Sequence, residues 1–107
     1  MLQNDHYQRF LKRLCKLHGI STRKVRFETI EDVVVIRVKN HFIEGVDLES
    51  FKIYHLIIQT VVPFGVKFNQ QLYFHPGGNR LDRVTITFEK KDYMLLNEKM
   101  EQGDIQG

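Results

Sequence analysis

Five histidines, one cysteine and sixteen lysines and arginines are the side chains from which chemistry could start in this 107-residue chain. The histidines, His6, His18, His41, His55 and His75, are scattered along the sequence. None stands in an H-x-x-x-H spacing or beside a cysteine pair, so the convergence of donors that a metal needs is not encoded locally. No metal and no cofactor are expected. Cys15 is the only cysteine, which excludes an intrachain disulfide. It sits at the margin of an apolar helix face, where a thiol reads as buried filler rather than a nucleophile. There is no G-x-S-x-G elbow, no phosphate-binding glycine loop and no H-x-E with a cysteine pair. The chain is read as non-catalytic.

The cations carry the remaining signal. Residues 1–26 hold seven Lys/Arg against one acid, Asp5, while the other 81 residues hold nine against twelve. The net charge of +3 therefore hides a basic N-terminal quarter, which points to an anionic partner. Four of the cations share one side of a helix predicted over residues 4–18. Tyr7, Phe10, Leu11, Leu14, Leu17 and His18 fall on one face at i, i+3, i+4, i+7 spacing, and Arg9, Lys12, Arg13 and Lys16 fall on the opposite one. Gly19 ends this helix in the left-handed conformation.

Further cations fall on alternating stretches. Residues 24–30 and 33–39 alternate as two strands joined by Glu31 and Asp32. Residues 66–75 and 83–89 form a second hairpin, with Pro76, Gly77, Gly78 and Asn79 as turn chemistry. Between the hairpins lie a loop over 40–46 and a helix over 48–62, with Asp47 as its N-cap and Pro63 and Gly65 ending it. The arc Phe51, Ile53, Tyr54, Ile57, Ile58, Val61 and Val62 makes that helix apolar over most of its circumference. Phe51, Tyr54, Ile58 and Val62 are accordingly expected to have little exposed surface. A last helix over 92–101 buries Tyr93, Leu96 and Met100, and residues 102–107 are read as a frayed tail.

The order α-ββ-α-ββ-α predicts a single α+β domain over residues 1–101. Its architecture is a mainly antiparallel four-stranded sheet with helices packed on one face. The ββα unit occurs twice, but the two copies share no residue pattern. The sheet's outward face would then carry Lys24, Arg26, Glu28, Arg37, Lys39, Lys67, Asn69, Gln71, Tyr73, His75, Arg83, Thr85, Thr87 and Glu89. Cations on such a face can meet phosphates and Tyr73 can stack on a base, so the face is a candidate nucleic-acid surface. An acidic protein surface is the alternative partner. A solvated sheet face with no ligand produces the same composition. Arg80 adds a cation beside the paired glycines, whose backbone N–H groups could hold an anion.

The longest apolar stretch, residues 56–66, falls well short of the ~20 residues that span a bilayer. The N-terminus lacks the basic and apolar order of a signal peptide. A soluble, cytoplasmic protein with no membrane partner is expected.

Overall fold

The structure, a computed structural model, describes residues 5–40, 48–76 and 81–106, with side chains through Glu101. Three helices, α1 (His6–Leu17), α2 (Leu48–Val61) and α3 (Lys90–Gln106), accompany four strands, β1 (Val25–Ile30), β2 (Val33–Lys39), β3 (Asn69–Phe74) and β4 (Leu81–Glu89). The strands form one antiparallel sheet in the order β1-β2-β4-β3. The predicted fold class and element order hold.

Helix α1 starts where Asp5 accepts a hydrogen bond from the Gln8 N–H at 2.9 Å, satisfying one of the first-turn donors. A second donor, the Tyr7 N–H, is taken by Asn97 Oδ1 of α3 at 2.8 Å, and the Tyr93 hydroxyl donates to Asp5 at 2.5 Å. The entry of α1 is therefore fastened to α3, 88 to 90 residues away in sequence. Gly19 leaves the helix at φ +69°, where a Cβ would be strained. Glu31 turns the first hairpin at φ 54°, and Asp32 is pinned by the Lys90 N–H donating to its carbonyl at 2.7 Å. A 3₁₀ turn, Val62–Phe64, carries Pro63 and closes on Gly65.

One apolar core lies between the helices and one face of the sheet. Val34, Ile36 and Val38 of β2 and Val84, Ile86 and Phe88 of β4 meet Ile53, Ile57 and Val61 of α2. Tyr7, Leu11 and Cys15 of α1 and Tyr93, Leu96 and Met100 of α3 complete it. Tyr7 and Tyr93 cross edge to face with ring centres 6.3 Å apart. Burial drives both phenols well above the usual tyrosine range.

Helix α2 is rotated from the predicted orientation. It buries Ser50, Ile53, Ile57 and Val61, while Phe51 and Val62 stay 54% and 55% exposed and Tyr54 and Ile58 are half-buried. The buried stripe runs along Ser50, Ile53, Ile57 and Val61 at helical spacing, and its one polar member is satisfied because the Ser50 hydroxyl donates to the Lys39 carbonyl at the end of β2 at 2.6 Å. Leu17 and His18, predicted on the core face of α1, are exposed, Leu17 at 77%, because the buried stripe of the helix runs through Tyr7, Leu11 and Cys15 and leaves both to its side. Helix α3 continues to Gln106, beyond the apolar pattern that marks its core-facing turns. The predicted Asp47 cap and the paired-glycine turn lie outside the described residues.

Candidate functional site

The pairing registers set out the sheet face that the helices leave uncovered. With Val34, Ile36 and Val38 turned inward, their neighbours turn outward and align in four rows. Ile30, Val33 and Glu89 form the first row; Glu28, Val35, Thr87 and Asn69 the second. Arg26, Arg37, Thr85 and Gln71 form the third, and Lys39, Arg83 and Tyr73 the fourth.

Two rows thus concentrate the cations. Arg26 stands directly opposite Arg37, and Lys39 directly opposite Arg83. Like charges so placed destabilise a sheet. Adjacent rows on one face are about 7 Å apart, inside the screening length of ~8 Å at physiological salt, so the four charges act as one field.

Local acids offset part of it. Glu28 is paired with Arg37 and lies 3.8 Å from Arg26. The hydrogen bond from Arg37 holds the Glu28 carboxyl below the ordinary carboxylate range, ahead of the attraction of both guanidinium charges. Asp82 takes Arg83 at 2.7 Å and His75 at 3.4 Å. Lys39 has no ion-pair partner among the described residues. The Arg83 guanidinium lies 4.4 Å over the Tyr73 ring, whose hydroxyl donates to Gln71 at 2.5 Å.

The row centre holds a feature that the residue pattern did not reveal. Thr85 is 5% exposed, and its Oγ1 has no hydrogen-bond partner among the described residues. A hydroxyl so placed is a cost unless something fills its valence. Finding it requires knowing that β4 is an interior strand flanked by Arg37 and Gln71, which only the strand order reveals. Asp82 was missed for a related reason. A register shift between Tyr73 and Phe74 puts one extra residue into β4, and that residue is Asp82.

The other predicted site residues distribute differently. Lys24 is not on this face. It falls in a 3₁₀ turn, Thr22–Lys24, and its ammonium meets Glu49 of α2 at 3.1 Å, because β1 begins only at Val25. Lys67 precedes β3 and is exposed at a surface pocket of about 670 Å³ with Asn69, Thr87, Glu89 and Lys91. Arg80 lies outside the described residues. Arg9, Lys12, Arg13 and Lys16 are all exposed on α1. That helix belongs to the layer covering the inner face, so its basic stripe and the outer sheet face do not merge into one band. Arg9 is 3.2 Å from His6 Nδ1.

Among the described residues no three His, Cys, Asp or Glu side chains gather as a metal site, and no helix is long and apolar enough to cross a membrane. Cys15 is fully buried in the core, and that burial raises its thiol pKa. Compared with known protein families, curated proteins and solved structures, the chain matches none of them.

Proposed function

We propose that this chain is a small non-catalytic binding module that takes single-stranded nucleic acid on the outer face of its sheet. The observation that carries the reading is the double juxtaposition of Arg26 with Arg37 and Lys39 with Arg83 in adjacent rows. Cross-strand like charges cost stability, and a polyanion laid across them relieves that cost. Tyr73 ends the fourth row, where an aromatic ring can stack a base. The basic stripe of α1 offers a second, separate contact for an anion on the helical side of the molecule.

An acidic protein surface is the alternative occupant, and one observation favours it. Arg83 already covers one face of the Tyr73 ring, which leaves a base only the other. Arginine and tyrosine together are also the side chains enriched at protein interfaces.

The test measures binding of a short single-stranded oligonucleotide as a function of salt. The expected log–log slope is about −0.7 per phosphate contact. Lys39→Gln removes one unpaired cation from the fourth row. It should lower affinity, flatten that slope by about 0.7, and raise fold stability by a few tenths of a kcal/mol through loss of the Lys39–Arg83 repulsion. Lys12→Glu with Lys16→Glu should weaken binding less if the sheet is the principal surface. Failure of both RNA and DNA to bind at low salt, with the protein folded, overturns the nucleic-acid reading. Binding of an acidic polypeptide under the same conditions would then assign the surface to protein.

A further inference from the structure

We propose that β3 is a self-pairing edge through which two copies of this chain join their sheets, antiparallel, about a two-fold axis at Leu72. The strand order leaves β1 and β3 as the two edges, and their chemistry differs. β1 carries Arg26 and Glu28, the charges with which natural sheets discourage strand addition. From Asn69 to Phe74, β3 carries no charge and no proline, and all six residues are exposed. The bulge beside it does not blunt the edge, because the extra residue, Asp82, belongs to β4. Every second residue of β3 therefore offers a backbone N–H and C=O to an incoming strand.

The helix side of this edge is apolar and open. Leu72 is 50% exposed, Phe74 56% and Phe51 54%. Between α2 and the strands, Phe51, Tyr54, Leu72, Leu81 and Val84 help to line a groove of about 110 Å³.

A second copy fits this edge on charge and on pattern. With the axis at Leu72, Leu72 faces its own copy, Gln70 faces Phe74 and Gln71 faces Tyr73. Each pair shares a sheet face, so both copies keep their apolar residues on the helix side. No charges oppose one another across the new ladder. The nearest sheet cation is Arg83, one strand in; the two copies of Arg83 are separated by about three strand spacings, ~14 Å, beyond the ~8 Å screening length.

The area is modest. Phe51 and Phe74, each a little over half exposed, and Tyr73, about a third exposed, offer on the order of 300 Å² of aromatic surface per copy. The strand backbone, Leu72 and the glutamines bring the contact toward the low end of specific interfaces, so a weak dimer is expected, with dissociation at roughly 10–100 µM. The dimer would extend the basic outer face across eight strands. The proposal does not depend on what that face binds.

Sedimentation velocity across a concentration series tests it, on the wild type and on Leu72→Lys and Leu72→Glu. Leu72 is half exposed, so both variants should fold, which circular dichroism verifies. The wild type should shift from monomer to dimer as concentration rises. Each variant alone should stay monomeric, because like charges meet on the axis. An equimolar mixture should recover the dimer, because Lys then faces Glu. A wild type that remains monomeric at about 1 mM overturns the proposal, since that is at least tenfold above the expected dissociation constant. So do variants that dimerise as the wild type does, or a mixture that fails to associate.

Discussion

Removing the Thr85 hydroxyl should make this protein more stable, against the usual direction of point substitutions. Thr85 is 5% exposed and its Oγ1 is unpartnered among the described residues. A buried hydroxyl without a partner carries a desolvation penalty of about 1–3 kcal/mol. Thr85→Val keeps the β-branched shape, substitutes a methyl for the hydroxyl, and places a strong strand former in an interior strand. The apolar environment is at hand, since Val35 occupies the next row on the neighbouring strand and is itself buried. Allowing for incomplete desolvation at the sheet surface, the expected gain is about 1 kcal/mol. For a domain of about 100 residues that is an upward shift of about 4 °C in melting temperature. Urea titration should show a higher midpoint with an unchanged slope. Thr87→Val, on the same strand and face but half-buried, is the control and should stay within about 0.5 kcal/mol. A loss of about 1 kcal/mol or more on Thr85→Val would show instead that the hydroxyl is satisfied in solution.

The rotation of α2 predicts a contrast between two of its residues. Ile57→Ala should cost about 2–5 kcal/mol, because the side chain is fully buried, while Phe51→Ala should cost under about 1 kcal/mol; equal losses in a chemical melt would contradict the orientation. Cys15 should react slowly with a thiol reagent in the native protein and quickly after denaturation, because it is fully buried and its thiol is shifted upward; stoichiometric labelling at once would expose a different core. Burial raises both Tyr7 and Tyr93, with the Asp5 hydrogen bond and charge adding to the shift of Tyr93. Their neutral forms thus stabilise the fold fully below the ordinary phenol pKa of about 10, and that stability is lost as pH climbs above it. Two of the four tyrosines should ionise only as the protein unfolds in alkali; four smooth titrations with an intact dichroism spectrum would refute this.

What the sequence made legible was set by period. The two-residue period of β2 and β4 has one apolar side and placed its inward residues correctly, while the 3.6-residue period of α1 found Tyr7 and Leu11 but put Leu17 and His18 inward and left Cys15 at the margin. Helix α2 lacks that contrast. It is apolar nearly all round, so periodicity could not choose among its faces, and the buried one includes Ser50, whose hydroxyl finds the Lys39 carbonyl across a long-range contact that the pattern does not encode. The candidate surface was legible only as a composition. Alternation identified Arg26, Arg37, Lys39 and Arg83 as outward, but which of them face each other depends on the order β1-β2-β4-β3. The central place of β4, and with it the orphan Thr85 hydroxyl, is likewise a fact of long-range pairing. Lys24 failed for a local reason: the turn Thr22–Lys24 consumed the residue that alternation had assigned to a strand.

The outer face departs from what stability alone would select, at three adjacent points. Arg26 opposes Arg37, Lys39 opposes Arg83, and in the Arg26–Arg37 row Thr85 buries a hydroxyl with no partner among the described residues. On the inner face the same two central strands are regular, with Val34, Ile36, Val38, Ile86 and Phe88 packed without a polar interruption. The strands are shared, so the difference is not a property of their backbone. It belongs to the residues chosen for one side. Local rules broken together at one place, in a fold that keeps them elsewhere, are the usual physical mark of a surface held for a ligand. On the proposed reading, the two like-charge pairs suit an anionic ligand. Their spread over three strands and two rows suits an extended one rather than a single small ion. A solvated sheet face would need neither the opposed cations nor the buried hydroxyl, which is the ground for proposing a polyanion.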